Sequence, residues 1–197
     1  MGESQHPPER GLSTEEKTGV RLTVSPSSSQ EAVVMSVFPR AGKSTVAREA
    51  TERSDLGGPV RDLELARNSN FVEEYVDDIV QEARSPGFVL VSTHAEVRQK
   101  LVERGVKFTL VYPEPEEKGK YVERMKVVFD DPRVVEWFNE GWDSLLESCR
   151  EQRGCDHYVL CGGYLSIGDL AYIASTWGER LGESREQKAV ESERQSD

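Results

Sequence analysis

With 197 residues, 36% of them hydrophobic and 31% charged, the chain fits one domain with tails and must concentrate its apolar residues in a few segments to build a core. A formal net charge of −11 argues against general nucleic-acid binding, which relies on Lys and Arg displacing cations from phosphates, while leaving room for a local basic patch. Cys149, Cys155 and Cys161 form no CxxC pair and have no clustered histidines nearby, which argues against a zinc site or a disulfide framework and for reduced thiols in a cytoplasmic protein.

Residues 1–29 and 178–197 are polar and read as flexible tails around a domain at 30–177. No stretch is apolar and long enough to span a membrane, and the start of the chain lacks the hydrophobic run of a signal peptide, so the expected protein is soluble and keeps no membrane contact.

Within the domain, β-branched runs alternate with helical periodicity. Ala32 to Phe38 is a buried strand and Ser44 to about Arg53 a helix; Gly57-Gly58-Pro59 marks a turn. Val60 to Leu63 is a short strand, followed by a helix near Phe71 to Ala83 with Phe71, Tyr75, Ile79 and Val80 on one face, ended by Ser85-Pro86-Gly87. Phe88 to Ser92 is a central strand, Ala95 to Gly105 a helix closed by its glycine, and Phe108 to Tyr112 the next strand. A charged segment from Pro113 leads into helical patterns through about Cys149; His157 to Leu160 is a fifth strand, and Ser166 to Thr176 a last helix. This βαβαβαβαβα order predicts a three-layer α/β fold, a parallel sheet of about five strands covered by helices, with ligands beyond the carboxyl ends of the strands.

The first of those ends carries the chemistry. The phosphate-binding loop G-x-x-x-x-G-K-[ST] wraps phosphates in backbone N–H groups, reaches the β and γ phosphates with its lysine and binds magnesium through its hydroxyl. Here the segment reads Val37-Phe38-Pro39-Arg40-Ala41-Gly42-Lys43-Ser44, with Val37 where the first glycine belongs and Arg40 where glycine often lets the backbone approach phosphate. A GK[ST] triplet alone arises by chance in about one chain in ten of this length. Its placement between a buried strand and a helix start is the stronger signal, because that arrangement aims N–H groups and the positive helix end at an anion. Pro39, Arg40, Ala41, Gly42, Lys43, Ser44 and Thr45 are therefore the candidate triphosphate-binding residues, with Arg40 either adding a phosphate contact or crowding the pocket.

The loop, together with Val91-Ser92-Thr93-His94-Ala95-Glu96-Val97-Arg98, Leu110-Val111-Tyr112-Pro113, Lys118 and Tyr121-Val122-Glu123-Arg124, and later Trp142-Asp143 and Gly163-Tyr164-Leu165, resembles the small nucleotide kinases of the P-loop class, and most closely the kinase-like P-loop proteins of bacteriophages. The resemblance covers roughly residues 31 to 170 and implies a P-loop NTPase fold with a helical lid at about 114–130, and ATP and Mg2+ as cofactors. At the second strand Asp62-Leu63-Glu64 stands where that group carries two aspartates and a serine.

Phosphoryl transfer needs charge neutralisation and positioning. Lys43 suits the first task and Ser44 a metal. Asp62 suits a metal or an acceptor hydroxyl, with Glu64 assisting, or both are a solvated strand end. Arg98, one helical turn beyond His94, is placed to grip an acceptor phosphate; His94 either faces ligand or caps its helix. Lys118, Lys120, Arg124 and Lys126 lie in the lid segment, with Arg124 the candidate transition-state arginine, although Glu116, Glu117 and Glu123 alternate with them as on an ordinary charged helix. Trp137, Phe138 and Trp142 read as core or lid packing, and Gly162-Gly163-Tyr164 as a turn or a cradle for the base. The expected activity is transfer of the γ-phosphoryl of ATP to a nucleoside monophosphate or similar small acceptor. The alternatives are an acceptor such as a nucleic-acid end, or a nucleotide-binding module with little catalysis.

Overall fold

The computed structural model describes residues 31–53, 56–64 and 72–177; both expected tails, Phe71 and residues 65–70 of the loop after the second strand lie outside them. Five strands, β1 (Val33–Val37), β2 (Val60–Asp62), β3 (Phe88–Ser92), β4 (Thr109–Pro113) and β5 (Asp156–Leu160), form one parallel sheet in the order β2-β3-β1-β4-β5. β1 is central: Val37 pairs with Ser92 of β3 on one side and Val111 of β4 on the other. All five residues of β1 and of β4 are buried, which is the near-continuous apolar character that a parallel sheet covered on both faces requires.

The helices are α1 (Lys43–Thr51), α2 (Val72–Glu82), α3 (Ala95–Glu103), α4 (Lys118–Val128), entered through a 3-10 turn at Pro115–Glu117, and α5 (Pro132–Arg150); a sixth, α6, covers 167–177. The β1-to-β2 crossover runs along the sheet in the opposite direction to the three later ones. Right-handed connections therefore put α1 on one face and α2, α3 and the α4–α5 pair on the other. Of the expected apolar face of α2, Tyr75 and Ile79 are buried and Val80 is partly buried, while Val76 joins them in the core.

Among the described residues, two helix starts have side-chain caps. Asp131 accepts from the Arg133 N–H at 3.0 Å, with Pro132 in the first helical position, so α5 begins immediately after α4. At α6, Ser166 Oγ accepts from Asp169 N at 3.2 Å and the Asp169 carboxylate accepts from Ser166 N at 2.8 Å, a reciprocal capping box further held by the Tyr158 hydroxyl.

At the amino ends of β2 and β3 two turns cross closely. A Cβ on Gly58 would lie 2.7 Å from Gly87 Cα, and one on Gly87, whose φ is +118°, would overlap the Pro59 carbonyl oxygen, which already accepts from Phe88 N. Arg61 seals the crossing by donating to the carbonyls of Glu82, Ser85 and Pro86 at 3.0–3.2 Å and pairing with the Glu82 carboxylate at 3.0 Å.

Beneath the carboxyl ends an aromatic cluster joins strand to lid. Phe38 meets Trp142 edge-on at 5.3 Å and Tyr121 at 5.8 Å, and Phe138 packs on Trp142 at 5.8 Å. Phe138 and Trp142 are core residues, whereas Trp137, one position round the helix, is 65% exposed. The expected lid is thus a regular helix, α4, packed along α5. Among the described residues no helix is long and apolar enough to cross a membrane.

Candidate functional site

Val37 remains the last residue of β1, so the missing first glycine costs the backbone nothing. The left-handed turn falls later: Arg40 has φ 65°, alone among described non-glycine residues in that region, and Gly42 has φ 96°. Holding a residue with a Cβ there costs about 1 kcal/mol. The Arg40 guanidinium lies over the Phe129 ring, 4.7 Å from its centroid, a cation–π contact within the protein.

Gly42 precedes α1 without any side-chain cap, and the first turn of α1, beginning at Lys43, contains no acidic residue. The first N–H groups and the positive end of the helix are thus left available to an anion supplied from outside the fold. Ser44 and Thr45 are exposed in that first turn, and Pro39 is exposed at the loop's other side.

The loop's shape depends on a distant segment. Leu165 N donates to Ala41 O at 2.7 Å, and a Cβ on Gly42 would stand 3.2 Å from Tyr164 Cδ1, so the turn after β5 lies directly against the loop between β1 and α1. Arg124, from α4, donates to Gly163 O at 2.5 Å and Arg40 O at 3.4 Å, and its guanidinium sits 3.2 Å from the Tyr164 ring centroid and 4.4 Å from that of Tyr121. A Cβ on Gly163 would lie 2.6 Å from Glu117 Oε2, so glycine there is what lets α4 approach. Glu117 Oε2, the Tyr121 hydroxyl and Trp142 Nε1 are buried in this corner without a hydrogen-bond partner, and burial pushes the Tyr121 phenol well above its usual range.

Lys43 forms an ion pair with Asp62, both side chains mostly buried at 15% and 16% exposure, and donates also to Leu63 O at 3.3 Å. Asp62 is therefore brought to the loop through Lys43. Glu64 is exposed two residues on. Tyr75 ties this strand end to β3, its hydroxyl donating to Leu63 O at 2.8 Å and accepting from Ser92 N at 3.1 Å, so that the Leu63 carbonyl receives both Tyr75 and Lys43. Burial raises the Tyr75 phenol, with the Asp62 and Glu64 charges adding to the effect. Sequence periodicity placed Tyr75 with the apolar face of α2; only its hydroxyl set it apart from the neighbouring Ile79 and Val80.

Arg98 is the residue whose expected role the geometry does not sustain. It is 2% exposed, and its guanidinium donates to Thr93 O, to Ser148 O at 2.9 Å and Oγ at 2.6 Å, and to Gln152 Oε1 at 3.0 Å. The helix direction carries it beneath α3 onto the end of α5, where protein acceptors consume its donors and leave none to grip an acceptor phosphate. An open groove of about 1050 Å³ between α3 and α5 passes over it, lined by Lys100, Glu147, Glu151 and Arg153 and by no residue of the loop between β1 and α1. His94 stands exposed at the N-cap of α3 and makes no side-chain cap bond.

The expected lid cations also separate. Lys118 pairs with Asp143 at 3.2 Å, Lys120 with Glu117 at 2.9 Å and Lys126 with Glu123 at 2.6 Å, as on a charged helix surface, while Arg124 alone of the four turns to the loop.

For magnesium, the residues present are the exposed Ser44 hydroxyl and the Asp62 carboxylate; no group of three or more His, Cys, Asp or Glu able to hold a metal occurs among the described residues. That donor set fits a magnesium ion that arrives with phosphates and keeps several waters, since such sites use one or two protein oxygens. No protein-family model, curated protein or solved structure matches the chain.

Proposed function

We propose that the chain is a P-loop phosphotransferase, moving the γ-phosphoryl of ATP to a nucleoside monophosphate or a similar small acceptor. The observation that carries this reading is the uncapped, acid-free start of α1, which opens on a left-handed turn at the end of the central strand with Lys43 in its first turn. The strand order supports it too: the connections from β1 and β4 leave in opposite directions, so a crevice opens between the carboxyl ends of those neighbouring strands.

Chemically, the N–H groups of residues 41–45 wrap the β and γ phosphates, and Lys43 neutralises charge on the oxygens of the transferred group. Magnesium, held by Ser44 and the phosphates, would supply further charge neutralisation. Arg124 pivots from the carbonyls of Gly163 and Arg40 to the transferred group, and Tyr164, 53% exposed, offers a ring face to the base. Asp62, and Glu64 beyond it, position the acceptor so that its attacking oxygen, a phosphate oxygen in a monophosphate or a hydroxyl in another small acceptor, lies in line with the bond to the leaving ADP.

The test is ADP formation measured with ATP, magnesium and a panel of monophosphates. Acceptor-dependent ADP that disappears in Lys43→Ala is the expected result; ATP breakdown indifferent to acceptor counts against the assignment, and phosphorylation of oligonucleotide ends alone would move it to a different acceptor. A second reading, nucleotide binding without transfer, is favoured by one observation, the engagement of Arg98 by Thr93, Ser148 and Gln152. Tight ATP binding with no turnover across the panel would select it.

A further inference from the structure

The Lys43 ammonium has three N–H donors and spends two of them inside the fold, so a triphosphate must displace a protein partner to take more than one. Its ammonium is paired with the Asp62 carboxylate and bonded to Leu63 O at 3.3 Å, at a strand end that Tyr75 fixes from behind through the same carbonyl. Both partners are mostly shielded from water, where attraction between opposite charges is stronger than at an open surface. Asp62 thus presents to Lys43 the kind of oxygen anion that a phosphate presents, from the same fold and at high effective concentration.

We propose that Asp62 is an internal competitor of the triphosphate for Lys43, so that nucleotide binding and release of the Asp62 carboxylate are a single event. The proposal rests on the phosphate-binding reading above and adds regulation to it. A ligand that binds only the unpaired form has its affinity lowered by the fraction of molecules in that form. In return, the carboxylate assigned to positioning the acceptor becomes free only when phosphate has taken the lysine, which imposes an order: donor nucleotide first, acceptor second. Glu64 does not substitute for Asp62 in the latch, since the Lys43 ammonium is bonded to Asp62 and the Leu63 carbonyl.

The sign of one measurement separates this from a plain ligand role. Calorimetric titration with ATP in EDTA removes any contribution from a metal. Asp62→Asn and Asp62→Ala are then expected to bind ATP roughly tenfold more tightly than wild type. Inorganic tripolyphosphate should show the same gain, because the competition is at the phosphates and not at the base, and Lys43→Ala should lose affinity for both probes. If wild type binds ATP in a Lys43-dependent way and the two Asp62 variants, folded by circular dichroism, bind no more tightly, the competition is refuted while the phosphate site stands. If neither wild type nor the variants bind either probe, both fall. Asp62→Asn keeps the residue's shape and carries the test if the alanine variant does not fold.

Discussion

The two ends of the parallel sheet are built on opposite plans. At the amino ends of β2 and β3, Gly58 and Gly87 bring two turns into backbone contact, and Arg61 is used up on three carbonyls and a carboxylate. At the carboxyl ends, a residue with a side chain sits at φ 65° and a helix starts without a cap; among the described residues three buried side-chain polar atoms lack hydrogen-bond partners there, against one at the amino ends, Arg61 Nε, which is ion-paired with Glu82. The first end favours close packing and leaves little unanswered; the second accepts strain and leaves more groups without partners. Such a difference within one sheet marks the carboxyl end as the working end, because marginally stable proteins retain local cost chiefly where function needs it.

The contrast is most severely tested at Gly87. Its φ of +118° and the overlap of any Cβ with the Pro59 carbonyl predict that Gly87→Ala lowers stability by more than about 3 kcal/mol in urea unfolding. A loss under about 1 kcal/mol would mean that the amino-end crossing is loose and the comparison fails. Next in size is Arg98→Ala, expected to cost about 3 kcal/mol because Thr93 O, Ser148 and Gln152 lose their buried donor. ATP affinity should stay within twofold; a stable variant that instead loses acceptor affinity would return Arg98 to the working end.

Tyr75→Phe removes one donor from Leu63 O and one acceptor from Ser92 N, and about 1–2 kcal/mol of stability should go with them. Because the same carbonyl receives Lys43, ATP affinity should change as well, unlike in the Arg98 variant. The smallest effect separates strain from side-chain packing at Arg40. Both Arg40→Gly and Arg40→Ala lose the contact with Phe129, but only glycine relieves the left-handed φ, so the glycine variant should be the more stable by about 1 kcal/mol. Equal stabilities would show that the turn carries no strain.

Most of the fold was legible in local pattern. Val33–Val37, Phe88–Ser92 and Ala95–Glu103 follow from β-branched runs, a helical period and the Gly105 stop, and each differs from expectation by at most a residue or two at its ends. The site was legible as far as local order reaches, through the strand, the GKS triplet and the helix start. What remained hidden were pairings across the sequence. Lys43 meets Asp62 19 positions away and Arg98 meets Ser148 50 positions away, and no periodicity records such partners. Arg98 had the right spacing from a strand end for a ligand role, but the α5 terminus supplied acceptors first. Tyr75 was hidden for the converse reason: a hydroxyl on an apolar helix face contributes to the period whether or not it has a partner.

The bond from Leu165 to Ala41, with Arg124 clasping Gly163 and Arg40, also bears on the protein's synthesis. The loop is encoded near the start of the domain, yet a contact that shapes it comes from a segment more than 120 residues later, so the loop is completed only after nearly the whole domain has left the ribosome. A nascent chain ending before β5 can form β1 and α1 but not the closed turn. The turn at the candidate site therefore closes late in synthesis, once the segment after β5 has emerged.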